Sequence, residues 1–218
     1  MERELKICGK GKIRLRPDTV CAEVVLQGVE KEYAGALEKS ETALGKVKRA
    51  LLGAGFGEET MKTSDFRVNT RYENVRDEKG DWRQQFAGYE YRHVLTVRFS
   101  AESARLGAFA GAVAGCGADP LFSFSYTVRD SSAAREWLLR EAVKDCAKKA
   151  LILADAACVK LGEIVRIDYS SEEGIFSSRP IQPMRLNAAA DRTAPVSFDV
   201  APEDIEVEDK VTVVWSIG

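Results

Sequence analysis

Residues 131–161 read SSAAREWLLREAVKDCAKKALILADAACVKL, and the fold is decided there. The stretch is rich in Ala, Leu, Lys, Arg and Glu, the best helix formers. Nothing in it breaks a helix before Gly162. A helix of that length spans about 45 Å at roughly 1.5 Å per residue. Helical winding puts Leu138, Leu139, Ala142, Val143, Cys146, Ala150, Leu153, Ala154, Ala157 and Leu161 on one arc. Glu141, Lys144, Asp145, Lys148, Lys149 and Asp155 fall on the other. A one-sided helix of this kind must lie on an apolar surface. So many of its apolar residues are Ala that this surface can come close.

Working outward from the helix, the chain alternates as half-buried strands do. In residues 5–15, Leu5, Ile7, Gly9, Gly11, Ile13 and Leu15 face one way, and Lys6, Cys8, Lys10, Lys12 and Arg14 the other. Arg16-Pro17-Asp18 makes a turn, which predicts an antiparallel hairpin with residues 19–29. Residues 32–53 are helical, with Ala34, Leu37, Ala43 or Leu44, Val47 and Leu51 recurring in the three-and-four pattern of a helix, and Gly53 and Gly55 end the helix. Residues 61–72 and 86–99 are strands, joined by a polar hairpin loop over 74–85. A short Ala-rich helix spans 103–115, a strand 121–129 precedes the long helix, and a strand over 162–169 follows it. Residues 170–202 form a long irregular segment with Pro180, Pro183, Pro195 and Pro202, and residues 205–217 close the chain as a strand. The order predicts an α+β fold: a largely antiparallel sheet built from hairpins and covered by helices. No sharp boundary interrupts it, so one domain over 1–218 is expected.

Composition narrows the function. The 218 residues carry a net charge of −2, with 45% apolar and 30% charged residues. There is no basic excess to favour nucleic acid or an anionic membrane. No apolar run is long enough for a membrane-spanning helix. Residues 1–5 lack the pattern of a secretory leader, so the chain as written predicts a cytoplasmic protein, and a removed leader would make it periplasmic or exported. The five cysteines, Cys8, Cys21, Cys116, Cys146 and Cys158, include no C-x-x-C pair. They suggest neither a disulfide framework nor a metal site. Cys21, Cys116 and Cys146 lie in apolar surroundings and read as buried thiols, with an exposed redox sensor as the alternative.

The candidate sites mostly read as structure. Gly9-Lys10-Gly11 departs from the dinucleotide fingerprint at Arg14 and lacks the Ser/Thr of a phosphate loop. It reads as a strand where small residues permit close packing. His93, the single histidine, shares a face with Tyr91 and Leu95 and reads as a hydrogen-bonded core residue. It excludes multi-His zinc sites. The acidic pairs Asp77/Glu78, Glu172/Glu173 and Glu203/Asp204 sit in polar stretches and read as solvated charge. Cations are the best polar feature: Lys6, Lys10, Lys12 and Arg14 on the first strand, and Arg67, Arg71, Arg92 and Arg98 on two others. If these strands are neighbours, one sheet face carries a basic patch interleaved with Asp65 and Glu90. That patch reads as a solvated face with cross-strand ion pairs, or as an anion-binding face or subunit contact.

Several short motifs recur in a characteristic order. Ile7-Cys8-Gly9-Lys10-Gly11 and Arg16-Pro17-Asp18 come first, then Leu51 to Gly55 and Met61-Lys62-Thr63. Tyr72 precedes Gly88-Tyr89-Glu90-Tyr91-Arg92-His93-Val94, and Gly117-Ala118-Asp119 precedes Phe122 and Phe124. Ala134-Arg135, Ala142-Val143, Asp145, Lys148-Lys149-Ala150 and Leu153-Ala154 lie in the long helix, and Gly162-Glu163-Ile164 follows. This set resembles the SIMPL domain family (domain of unknown function 541) over nearly the whole chain. Tyr91 and His93 depart from the small residue and Asn common in that pattern. The resemblance implies no enzymatic activity, no cofactor and no catalytic residues to carry over. It implies a homo-oligomer, since some members assemble into large rings, and a link to the cell envelope and oxidative stress, since bacterial members are typically exported. The expected function is therefore a non-enzymatic assembly protein that joins copies through sheet edges, the long helix or the 170–202 segment. The alternatives are an anion or nucleic-acid binding module on the cationic face, or an enzyme built around His93. No pattern names a small-molecule ligand.

Overall fold

Alternation sets the first strand as expected. In β1 (Glu4–Leu15), Ile7, Gly9 and Gly11 are buried, while Lys6, Cys8, Lys10 and Lys12 are exposed. The structure, a computed structural model, describes residues 3–76, 80–169, 176–179, 181–184 and 202–218. After β1 come β2 (Thr19–Glu30), α1 (Tyr33–Gly53), a 3-10 turn at Glu58–Thr60, β3 (Met61–Arg76) and β4 (Trp82–Ser100). They are followed by α2 (Ser103–Gly115), β5 (Leu121–Thr127), α3 (Ser132–Ala156), β6 (Leu161–Asp168), β7 (Ile181–Met184) and β8 (Ile205–Ile217). The fold is α+β, and the pairings β1–β8, β6–β8, β2–β4, β3–β4 and β5–β7 are antiparallel. The chain gathers into two compact units, the first made of Met1–Pro17, Thr127–Ser178 and Pro202–Gly218, the second of Asp18–Tyr126 and Arg179–Ala201.

The first unit is a three-stranded sheet, β1-β8-β6, under α3. α3 buries Ala134, Leu138, Ala142, Cys146, Ala150 and Ala154, a stripe at every fourth position. Ala142, Cys146 and Ala150 pack on Ile7, Val211, Val213 and Trp215. Ala134 and Leu138 pack on Ile205, Val207 and Phe176. The buried stripe is narrower than the winding predicts: Val143 and Leu153 are exposed. α3 is also shorter than expected. Cys158 turns left-handed at φ 52, and Val159 N–H reaches back to the Ala154 carbonyl at 3.0 Å, closing the end without a glycine.

The second unit is a five-stranded sheet, β3-β4-β2-β5-β7, under α1 and α2. Val20, Ala22, Val24 and Leu26 of β2 meet Val47 and Leu51 of α1 and Leu106, Phe109 and Val113 of α2. Phe109 stands at the centre, with ring centroids 5.3 Å from Phe99, 5.9 Å from Phe56 and 5.9 Å from Phe122.

Three further expectations change. The hairpin of residues 5–15 with 19–29 does not form: β1 pairs with β8, from Glu4↔Ser216 to Leu15↔Ile205, and β2 with β4. A short connection permits a hairpin, but the buried faces choose the partners. β1 presents glycines that admit only a close helix, whereas β2 presents branched side chains that need bulky cover. The polar stretch 74–85 is mostly strand, because β3 runs to Arg76 and β4 starts at Trp82. Ring contacts hold that ribbon, with Tyr72 against Phe86 and Arg76 over Trp82. Within 170–202, β7 pairs with β5, and Thr127 Oγ1 donates to the Phe176 carbonyl at 2.7 Å. Most of that segment, with Glu172/Glu173 and Asp77/Glu78, lies outside the described residues.

Candidate functional site

The motif residues of β1 and α3 converge on one joint. A Cβ on Gly9 would collide with the Ala142 carbonyl oxygen, and one on Gly11 with that of Leu138. Glycine is therefore required at both positions by the close approach of the helix. The joint continues at the rim. Lys10 N–H donates to Asp145 Oδ2 at 2.9 Å, and Lys149 Nζ donates to the Cys8 carbonyl at 3.2 Å and pairs with Asp145 at 2.7 Å. The hydrogen bond from Lys149 and then the Lys10 amide hold the Asp145 carboxyl below its usual range. Beneath them Cys146 Sγ donates to the Val211 carbonyl at 3.2 Å. Burial pushes this thiol up, away from the reactive thiolate. The arrangement locks a helix to an edge strand, with the Cys8 side chain exposed on the strand's outer face. Helical winding puts Asp145 and Lys149 on the charged arc, opposite the apolar one. Their four-residue spacing around a buried cysteine was the available signal that they straddle a strand edge.

His93, on β4, sits in the core of the second unit. Ser40 Oγ lies 3.3 Å from Nδ1 and Thr63 Oγ1 lies 3.0 Å from Nε2, with the Phe66 ring 5.1 Å away. Both ring nitrogens are satisfied by hydroxyls, which can donate or accept. Burial first, and then the Lys48 charge, lowers the imidazole below its ordinary value, while Asp65 opposes them. His93 is the hydrogen-bonded core histidine that its strand position predicts, and its partners are hydroxyls, not the orienting carboxylate of a triad.

The eight cations belong to two different sheets. Lys6, Lys10, Lys12 and Arg14 lie on β1 in the three-stranded sheet, and Arg67, Arg71, Arg92 and Arg98 on β3 and β4 in the five-stranded one. Alternation identifies the outward face of a strand but not the sheet it joins. Within each sheet the cations find acids. Glu208 holds Lys10 at 2.9 Å and Lys12 at 3.1 Å, and Arg14 meets Glu206 at 3.6 Å. Those hydrogen bonds from Lys10 and Lys12 bring the Glu208 carboxyl down to about 2. Asp65 holds Arg92 at 3.0 Å and Arg67 at 3.6 Å, and Arg71 reaches Glu90 at 3.0 Å and Glu73 at 3.6 Å. Arg98 and Lys6 are exposed, across from Cys21 and Val214 respectively.

Comparison with known proteins agrees with the motif order. The family model SIMPL, described as "Protein of unknown function (DUF541)", matches residues 5–215. Over 202 residues the chain is 25% identical to the "26 kDa periplasmic immunogenic protein" of Brucella melitensis, an alignment covering 88% of this chain and 78% of that relative. No described helix is long and apolar enough to cross a membrane. The match spans both units and both halves of the β1–α3 joint, and the chain belongs to the SIMPL (DUF541) family.

Proposed function

We propose that this chain is a non-enzymatic, self-assembling protein of the bacterial cell envelope. The observation that carries the reading is apolar surface in the first unit. Leu151, Ile152 and Leu153 of α3 and Ile164, Val165 and Ile167 of β6 are each about half exposed or more, with Leu151 at 62%. Exposed apolar groups mark a contact surface where they gather into a patch, and these six come from two short stretches, 151–153 and 164–167. The absence of an enzymatic role is supported by the two satisfied motif regions: the β1–α3 joint is a packing lock, and His93 is held by hydroxyls in a core. The envelope assignment is drawn from the name of the Brucella relative, which says periplasmic. Light scattering is the test. Assembly gives a mass that is a multiple of 24.0 kDa, and a clean monomer at high concentration would overturn the reading. Cell fractionation tests the compartment, and loss of peroxide survival on deleting the gene would supply the stress link.

The alternative is an anion-binding face on the outer side of β1, where Lys6, Lys10, Lys12 and Arg14 outnumber Glu206 and Glu208. It predicts binding to a polyanion that weakens steeply with salt and is lost on reversing Lys10 and Lys12.

A further inference from the structure

Sheet edges are open rows of amides and carbonyls, and proteins usually blunt them. The first unit's edges are blunted. β1 has Asp145 and Lys149 on its backbone, and β6 slips register at Leu161/Ile164 and again at Ile164/Arg166. In the second unit β3 forms an edge, and its irregularities leave most of that edge continuous. One slip lies at Thr63/Asp65, before the run. At the other, Arg71↔Gly88 steps to Tyr72↔Phe86, so the extra residue is Ala87 on β4. Among the described residues, β3 presents an unbroken edge from Asp65 to Arg76 that carries exposed Phe66 and Tyr72.

The side chains along that edge say what fits it. Two copies joined antiparallel about a two-fold axis normal to the sheet keep every side chain on its own face. Only registers that place the axis on a residue are then allowed. An axis on Asn69 sets Arg67 against the other copy's Arg71, and one on Arg71 sets that cation against itself; like charges directly opposite repel. An axis on Thr70 pairs Arg67 with the second copy's Glu73, Val68 with its Tyr72 and Asn69 with its Arg71. Axes on Val68 or Tyr72 also match charges, but use only 65–71 or 68–76 of the edge, against 65–75 for Thr70. Arg67 and Glu73 are also the loosely held charges here: their contacts, to Asp65 and Arg71, are both 3.6 Å, while Arg92–Asp65 and Arg71–Glu90 are 3.0 Å.

We propose that β3 is a self-association edge, pairing antiparallel with β3 of a second copy about Thr70 to continue the two five-stranded sheets as one. The proposal rests on the assembly reading and adds to the first unit's apolar groups a second contact, in the second unit. Arg67→Glu alone or Glu73→Arg alone puts like charges together twice across the axis and weakens association by about tenfold or more. Mixing the two variants restores it, because the first then offers acids at both positions and the second offers cations at both. In a chain whose exposed Cys8 and Cys158 are serine, Thr70→Cys forms an intermolecular disulfide on oxidation, since directly opposite residues fall within disulfide reach. Sedimentation of the full chain reads the first experiment and non-reducing electrophoresis the second. A monomeric wild type overturns both the assembly reading and this edge. A wild-type oligomer unchanged by either reversal overturns the edge and leaves assembly standing. Variants that dissociate alone and stay apart when mixed overturn the register. Dissociation alone with recovery on mixing, and the Thr70 cross-link, support it.

Discussion

The two units solve one problem by opposite means. Each must cover one face of an antiparallel sheet with helix. The second unit does it with bulk: Phe56, Phe99, Phe109 and Phe122 interlock between β4, β5 and two helices. The first does it with proximity: α3 lays alanines and one cysteine on a strand with two glycines, and the backbones come nearly into contact. Bulk is lost by removing atoms and proximity by adding them, so the units should fail under opposite substitutions.

The largest effect is expected where bulk is removed. Phe109→Ala leaves a void among three aromatic rings and costs about 3–5 kcal/mol. Urea titration followed by hydrogen exchange should place the loss in peptides of β2, β4 and α2. A loss spread equally into β1 and β8 would break the contrast. Adding atoms to the first unit comes next. Gly11→Ala drives a methyl into the Leu138 carbonyl and costs about 1–3 kcal/mol. Gly45→Ala, inside α1 with nothing within 4 Å, adds about 0.5–1 kcal/mol of stability. One chemical change thus carries opposite signs at the two sites, and equal signs would refute the proximity account.

A smaller effect is expected at the rim of the joint. Asp145→Ala removes the acceptor of the Lys10 amide and the partner of Lys149, a loss of about 1 kcal/mol. The Lys10 amide should then exchange faster than its neighbours along β1. Unchanged exchange would mean that the helix face alone guards this edge.

These outcomes also measure what could be read from the sequence. The existence of α3, its small-residue face and the packing role of Gly9 and Gly11 were legible, because spacing and residue size report directly on a face. Partners were not. Alternation shows that residues 5–15 have a buried side, but not that residues 205–215 will lie beside them. Strand pairing is a long-range choice made by competing surfaces. For the same reason the cations looked like one patch until β1 and β3 fell into different sheets. The end of α3 was hidden because Cys158 takes the left-handed turn that glycine normally signals. The β3–β4 ribbon was hidden because its polar residues resemble a loop, while cross-strand rings hold it. His93 was legible because an imidazole on an apolar strand face must find hydrogen bonds, and Ser40 and Thr63 supply them.

The smallest effect separates the units by acid. In the second unit His93 is lowered by burial and by Lys48 of α1, with Asp65 of β3 pulling the other way. A group whose folded value lies below its unfolded one binds more protons when unfolded, so stability rises with pH across that interval. The neutral imidazole's share is complete above about pH 6.5, its ordinary value, and is lost as pH falls through the lower folded value. In the first unit the lowered groups are carboxylates, Asp145 and Glu208, the latter at about 2. Their shares are complete above ordinary carboxylate values near 4 and are lost only in stronger acid. Between pH 7.5 and 5.5 the second unit should therefore weaken while the first holds. Hydrogen exchange at the two pH values, corrected for intrinsic rate, reads each unit separately. His93→Gln should remove the pH slope from β2 and β4 peptides. A slope that survives the substitution, or one shared by β1 and β8, would show that the acid response has another source.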